Sequence, residues 1–426
     1  MEDLIIIGAG PGGYETAIKA VKNGLKVTII NDGPLGGVCL NEGCIPTKTF
    51  CHYAGKEEFA TVVERKELVV SQLRNGVAYL LKNPNITVVD GKASLKDANT
   101  IVVGDAVYQA KHIIIATGSK PALLPISGAN SEMVLTSTDV LNLKELPECI
   151  CVIGGGVIGL EMACYLRKFG VEVTVLEYAP NILPNFDEDI SKRLKQMLTR
   201  QGIRIETSAQ VTAIDDEGVV TFEKKDQKYE VACDKVLMAV GRKPNTEGLN
   251  LDALGISYDK KGIKVNENMQ TSVPTIYAIG DVNGQMMLAH VASFQGYRAL
   301  NHVLGKKDQI RFDLVPSAVF TTPEVASVGL TEAQCDDDEL DYRTVKIPYG
   351  SIGKAVAMGE TDGFCKLIVD IENNTILGCH IMGSHASNLI QEVVTMMNLG
   401  VTLDRAKDII HAHPTLSEIL QTAINA

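Results

Sequence analysis

Two apolar runs of nearly identical design organise the first half of the chain. Leu4 to Ile7 is followed at once by glycines at 8, 10 and 13, and Ile150 to Ile153 by glycines at 154, 156 and 159. After each set the alternation of apolar and polar positions lengthens to a helical period. The first such segment runs from Tyr14 to Asn23 and stops at Gly24; the second reaches about Phe169 and stops at Gly170. A second apolar run then appears in each unit, "KVTIIN" and "VEVTVLE". The pattern predicts strand, glycine turn, helix and strand, twice over. In that context a glycine triplet reads as a dinucleotide-binding fingerprint. Gly8 and Gly154 allow the tight turn. Gly10 and Gly156 let the backbone approach a pyrophosphate, and Gly13 and Gly159 let the helix pack close to the sheet. The helix start then offers unpaired N–H groups and the positive end of its dipole to the phosphates.

The units differ where the second strand ends. Glu177 closes the second one, and a carboxylate there accepts bonds from ribose hydroxyls and repels a 2′-phosphate, which selects NAD over NADP. The first has Asn31, an uncharged acceptor, followed by Asp32. Side chains alternate along a strand, so Asp32 serves in place of Asn31 only where the backbone turns. Two more apolar runs end in residues suited to ligand contact: "HIIIATGSKP" at Thr117 and Gly118, and "TIYAIGDV" at Asp281. In open α/β sheets ligands lie at that carboxyl end of the strands. Near the C-terminus "FCKLIVD" and "TILGCHIMG" read as strands, and "NLIQEVVTMMNLG" as a helix with a buried face.

Length and composition narrow the class. The 426 residues allow two to four domains at about 100–200 residues each. A net charge of −12 argues against nucleic acid as a partner. No apolar run reaches the roughly 18 residues of a membrane span. "MEDLIIIGAG" lacks the basic start of a secretory signal, so a cytoplasmic location is expected. The acidic run from Asp336 to Glu339 reads as a solvated loop.

Ten cysteines do not make a disulfide scaffold in a chain this long. Most lie in apolar runs and read as small buried hydrophobes. Cys39 and Cys44 differ: they stand five apart in "GGVCLNEGCIPTK", ahead of Lys48. In a reducing compartment such a pair is more often catalytic or metal-binding than structural. A metal clip, two core thiols and a working disulfide all remain open at this point.

Two dinucleotide folds and a cysteine pair suggest an electron relay. Hydride carries two electrons and a disulfide accepts two, and a flavin couples them. In this light the chain resembles the FAD-dependent pyridine nucleotide–disulfide oxidoreductases. The likeness runs in order along the whole chain: the first glycine fingerprint, "GGVCLNEGCIPTK", "ATG", the second fingerprint, "GRKPN", "YAIGDV", "MLAHVASFQG", "PEVASVGLTE" and "HAHPTLSE". The resemblance implies an α/β fold with two Rossmann-like domains, for FAD and NAD, and a C-terminal α+β dimerisation domain. The FAD domain would comprise 1–117 and 246–312, the NAD domain 118–245, and the interface domain 313–426.

Site residues follow by the same likeness. Cys39 and Cys44 are similar to the redox disulfide, with Cys44 nearer the flavin. Lys48 resembles the lysine beside the flavin and Glu161 its ion-pair partner. Thr117, Gly118, Asp281 and Ala289 match FAD contacts; Gly154, Gly156, Gly159, Glu161, Glu177, Val211 and Gly241 match the NAD site. His413 and Glu418 match a proton-handling pair that reaches the disulfide of a partner subunit. The "GGVCLNEGCIPTK" and "HAHPTLSE" motifs together are most similar to members that oxidise protein-bound dihydrolipoamide with NAD+, in a 2-oxo acid dehydrogenase or glycine-cleavage complex. That implies a homodimer and a lipoyl-bearing partner. Other NAD(H)-dependent disulfide reductases or diaphorases of the family, and a non-catalytic assembly subunit, are the alternatives.

Three local features depart from the family pattern or qualify it. Val38 stands where a Thr is usual, Asn31 where an acid is, and the segment from about Cys51 to Lys82 is short, which predicts a trimmed helical excursion. "PTLSE" also reads as a capping box, with Thr415 as N-cap and Glu418 three residues on. No further His or Cys stands at zinc spacing near the pair, so no metal site is expected. In a regular helix residues five apart have Cα atoms roughly 8.7 Å apart, beyond the ~7 Å reach of a disulfide. "CLNEGC" is therefore expected to be a tightened turn, permitted by Gly43 and Pro46, holding a reducible bond.

Overall fold

The computed structural model describes residues 1–426 and contains three principal sheets. In the first, Glu2–Ile7 lies between Val27–Asn31 and Ala106–Ile115, all parallel, with Ile7 level with both Ile30 and Ile115. Ile86–Asp90 extends one side, and Ile276–Ala278 arrives from the far part of the chain to pair beside Ile113 to Ile115. These strands are continuous apolar runs because both faces of the sheet are covered. The helices Pro11–Lys22 and Ala289–Val303 pack side by side on it, and close enough that a Cβ on Gly296 would meet Thr16 Oγ1 at 1.8 Å.

The second sheet is wholly parallel, in the order Arg204–Thr207, Glu172–Glu177, Cys149–Ile153, Lys235–Met238, Val134–Leu135. It repeats the first in register: Ile153 is level with Leu176 and Met238. The chain leaves the first sheet through Ser119–Pro121 and returns through Arg242–Pro244, and these two strands pair antiparallel. The third sheet is antiparallel, in the order Ser317–Val319, Glu324–Gly329, Ile376–Gly383, Phe364–Asp370, Tyr342–Pro348, with the helices Ala386–Asn398 and Glu418–Asn425 against it.

The segment expected to be trimmed carries a full 22-residue helix, Phe59–Leu80. The expectation of a trimmed helical excursion is therefore corrected: Val62, Val70 and Val77 give that helix a buried stripe that holds it in place.

One apolar cluster joins the second sheet to the third, running from Phe50 through Tyr165 and Leu194 to Val319, Phe364 and Met382. Beside it lies a buried charge cluster. Lys366 is 3% exposed and reaches Asp187 Oδ1 at 2.8 Å, Asp189 Oδ2 at 3.0 Å, and Glu332. Asp187 also caps the helix Glu188–Arg200. Burial alone would push the Lys366 ammonium toward neutrality, but its bonds to Asp187, Glu332 and Asp189 outweigh that and hold its pKa above the ordinary value. Burial would raise the Asp189 carboxyl, but the ammonium groups of Lys366 and then Lys346 outweigh it and hold it low.

Candidate active site

The two glycine turns are built alike. Gly8 has φ +108°, and a Cβ there would lie 2.3 Å from the Ala116 carbonyl oxygen; Gly154 has φ +114°, and a Cβ would lie 2.3 Å from that of Ala239. A Cβ on Gly13 would meet the Gly8 carbonyl oxygen at 2.0 Å, and one on Gly159 the Gly154 carbonyl oxygen at 2.1 Å. No side chain caps the start of either Pro11–Lys22 or Val157–Lys168. Two helix N-termini with unpaired N–H groups therefore stand at the carboxyl ends of two parallel sheets, suited to an anionic diphosphate. The cradle fits dinucleotides at both places.

At the ribose positions each side chain turns back on its own glycine loop. Glu177 accepts N–H bonds from Gly155 at 2.6 Å and Ala179 at 2.6 Å. Asn31 accepts from Ala9 N at 2.8 Å and donates to the Gly33 carbonyl at 2.6 Å. Asn31 is thus held by the loop, its one expected acceptor bond made to Ala9 N. An acid is not needed for that bond, since an amide oxygen accepts it equally well. Asp32 is exposed and lines the cleft.

Cys39 lies in the short helix Gly37–Glu42 and Cys44 begins the next, Cys44–Tyr53. The helix breaks at Gly43, whose φ of −146° and ψ of −104° are non-helical. The break brings the Cα atoms to 4.6 Å, and the two sulfurs are bonded. One turn on, Lys48 Nζ is 2.8 Å from Glu161 Oε2 and 3.1 Å from Oε1, across to the helix of the second unit. Glu161 is 3% exposed, and its Oε1 also accepts the Phe320 backbone N–H at 2.9 Å. The Phe320 ring lies 4.7 Å below the ammonium. A helix from each of the first two units and the end of a strand of the third sheet therefore meet at this carboxylate. Cys51 is close by, donating to the Glu161 carbonyl at 3.9 Å, and its thiol is pushed up by burial and then by the Glu161 charge, so it is inert as a nucleophile.

Asp281 follows Ile276–Ala278. Ser119 Oγ donates to its Oδ2 at 2.5 Å, Arg242 Nε donates to Ser119 Oγ at 2.7 Å, and Arg242 Nη2 donates to the Ser119 carbonyl at 2.8 Å. The paired crossover strands thereby hold Asp281 in place. Burial lowers the Arg242 pKa against the attraction of Asp281. Thr117 Oγ1 and Asn245 close the same crossover, bonding at 2.7 Å and 3.1 Å.

One open cleft of about 1560 Å³ joins these parts. Its wall includes Gly8, Gly10, Asn31, Cys39, Cys44, Lys48, Thr117, Gly118, Asp281 and Ala289 on one side, and Gly154, Gly156, Glu161, Glu177, Val211 and Gly241 on the other. Gly13 and Gly159 stand behind the wall, where they space helix from strand. His413 and Glu418 do not line it. They form a separate pair, Nδ1 to Oε1 at 2.8 Å, with the imidazole 78% exposed. The expected capping box is replaced by another arrangement: the helix starts at Glu418, and Thr415 Oγ1 donates to the Ala412 carbonyl. Glu418 Oε2 still accepts the Thr415 N–H at 2.9 Å, so one carboxylate orients His413 and closes the turn. Bonds from His413 and then Thr415 hold the Glu418 pKa below its ordinary value.

Ser119, Arg242 and Phe320 escape sequence reasoning. Arg242 lies inside the quoted "GRKPN", but nothing local ties it to Asp281; Phe320 meets Lys48 only through folding.

The profile described as pyridine nucleotide-disulphide oxidoreductase matches residues 2–296, and its dimerisation domain matches residues 315–424. Dihydrolipoyl dehydrogenase of Chlamydia muridarum (strain MoPn / Nigg) is 41% identical over 444 residues, covering 98% of this chain and 95% of the relative. That of Bacillus subtilis (strain 168) is 41% identical over 448 residues, covering 99% and 95%. Among solved structures, the HOCl-induced flavoprotein disulfide reductase RclA from Escherichia coli superposes with a TM-score of 0.92 at 33% identity, covering 99% of each chain. LpdA from Mycobacterium tuberculosis superposes with 0.91 at 26% identity, covering 100% of this chain and 99% of that one.

Proposed function

The chain belongs to the pyridine nucleotide-disulphide oxidoreductase family, and from that premise we propose that it is an NAD-linked dihydrolipoyl dehydrogenase, oxidising protein-bound dihydrolipoamide to lipoamide. The observation that carries the reading is the bonded Cys39–Cys44 pair in the same cleft as Lys48–Glu161 and Glu177, in a chain about 40% identical to dihydrolipoyl dehydrogenases over its whole length.

The family is FAD-binding and NAD(P)-dependent. The cradle at Gly8, Gly10 and the Pro11–Lys22 helix start would hold FAD, with Thr117, Gly118, Asp281 and Ala289 along it. The equivalent cradle at Gly154 and Gly156, with Glu177, Val211 and Gly241, would hold NAD. When bound, FAD carries an electron pair between the disulfide and the nicotinamide.

The residues then divide the chemistry. A thiolate of dihydrolipoamide attacks Cys39 and forms a mixed disulfide, releasing Cys44 as thiolate. The second substrate thiol attacks the mixed disulfide, releasing lipoamide and leaving Cys39 and Cys44 reduced. The substrate gives up two electrons and two protons in all; NAD+ receives the pair as hydride. His413 takes a substrate proton, and Glu418 fixes its ring through Nδ1, leaving Nε2 for the thiol. Lys48, held by Glu161 and Phe320 on the same cleft wall as Cys44, would set a positive charge beside FAD.

His413 stands apart from the cleft of its own chain, and the exposed Ile409 (44%) and Ile410 (93%) precede it in the same loop. An apolar surface beside an exposed base supports a homodimer in which His413 serves the partner's disulfide. The domains would follow the sheets: 1–117 with 246–312 for FAD, 118–245 for NAD, 313–426 for the dimer contact. A cytoplasmic location and a lipoyl-bearing protein of a multienzyme complex complete the reading.

The test is a spectral titration of the yellow, FAD-loaded protein. Dihydrolipoamide is expected to bleach the flavin and NAD+, not NADP+, to restore it. Colourless protein, or no NAD+ reduction by dihydrolipoamide, would overturn the proposal; turnover of a different disulfide alone would favour another reductase of the family.

A further inference from the structure

We propose that Glu392 and His411 are a positioning pair that holds the loop carrying His413; this deepens, and rests on, the reading of His413 as the base. Residues 407–417 form neither helix nor strand, so a side chain there keeps one place only if its loop is tied on both sides. The C-terminal tie is Glu418, through His413 Nδ1 and Thr415 N, with Thr415 Oγ1 bonded to the Ala412 carbonyl. The N-terminal tie is His411. Its ring is 5% exposed, its Nε2 lies 2.7 Å from Glu392 Oε1, and its Nδ1 lies 3.1 Å from the Ile409 carbonyl.

Glu392 is carried by a rigid element. It stands on the helix Ala386–Asn398, whose Ile390, Val393, Val394 and Met396 are buried in the core of the third sheet. Two imidazole–carboxylate pairs thus stand two residues apart and differ in exposure, 5% against 78%. The buried ring cannot meet a substrate thiol, which leaves it the holding role and His413 the reacting one. A displacement of about 1 Å at a reacting group costs up to about 100-fold in rate, so a loose N-terminal tie lowers turnover even with His413 intact.

The test is Glu392→Leu, which keeps the helix and removes the acceptor for His411 Nε2, made in the wild type and in a His413→Gln background. Two activities of the FAD-loaded protein are followed: NAD+ reduction by dihydrolipoamide, and NADH-driven reduction of ferricyanide, which takes electrons without a dithiol. The expected result is a fall of about 10–100-fold in kcat with dihydrolipoamide, little change in KM, and an unchanged ferricyanide rate. Glu392→Gln, which keeps an acceptor oxygen in place, recovers part of the loss. In the His413→Gln background Glu392→Leu costs nothing further, because its effect passes through a residue already removed. Amide exchange over 407–417 rises in Glu392→Leu. An undiminished kcat, an equal loss in both activities, or the same loss with and without His413 would overturn the proposal. Wild-type protein that reduces ferricyanide but never oxidises dihydrolipoamide would overturn the functional reading instead, and this inference with it.

Discussion

Cys44 and His413 carry the most direct consequences of single substitutions. Cys44→Ser leaves Cys39 without a bonding partner, so dihydrolipoamide turnover is expected to vanish while NADH–ferricyanide activity persists; steady-state assays of both check it. His413→Gln removes the exposed base and is expected to cost about 10²–10⁴-fold in dithiol oxidation, with FAD retained, as read from the flavin absorbance. Glu418 adds a pH dependence with a fixed sign. Its folded pKa lies below the ordinary 4.5. The His413 pairing is therefore complete above that value and is lost as pH falls through the lowered one, so the dithiol activity of a jump-and-return experiment is expected to fail reversibly in acid and not at neutrality. At this scale the sequence reveals whatever is written in contiguous motifs: Cys39, Cys44, Lys48, His413 and Glu418 all stand in short recognisable strings. Phe320 stands in none, and Ser119 only inside the quoted "HIIIATGSKP", where nothing marks it out. Their roles arise because folding lays them on Glu161 and Asp281, and no spacing in the chain encodes a contact between residues more than 150 positions apart.

The strand–glycine–helix unit is the element on which both nucleotide sites depend, and the duplication permits a paired experiment. Gly13→Ala sets a Cβ 2.0 Å from the Gly8 carbonyl oxygen, and Gly159→Ala sets one 2.1 Å from that of Gly154. Each forces helix and strand apart at a cost of about 1–3 kcal/mol. Gly13→Ala is expected to yield protein that loses its flavin on gel filtration. Gly159→Ala is expected to keep its colour and lose NAD affinity. Both elements were legible from apolar runs and glycine spacing, since the turn admits no other residue at Gly8 or Gly154. The helix Phe59–Leu80 was not, because a short segment says nothing about whether the helix or its connections gave up residues. The start of the last helix was displaced too: Glu418 bonds the loop before it, which moves the cap from Thr415 to Ser417.

Across the whole molecule, Lys366 is the residue that ties the second sheet to the third. Lys366→Met leaves Asp187 buried without its counter-charge, and destabilisation of about 3–5 kcal/mol is expected, measured by denaturant titration. The pH window follows from the shifts. Lys366 is raised above its ordinary 10.5, so its contribution is complete below that value and lost as pH climbs through the raised one. Asp189 is lowered below 3.8, so its share is lost only as pH falls through the lowered value. The difference between wild type and variant should stay flat between these limits and shrink outside them. None of this cluster is visible in the chain as written, where Asp187 and Lys366 are ordinary surface-type residues. The paired crossovers Ser119–Pro121 and Arg242–Pro244 have a different kind of consequence. Because the intervening chain departs and returns at neighbouring points, it behaves as a cassette: its removal leaves two ends already side by side, ready to be rejoined or to receive another insert. A transplanted cassette must nevertheless present its own acids to Lys366, so exchange between homologues should succeed only when Asp187 and Asp189 travel with it.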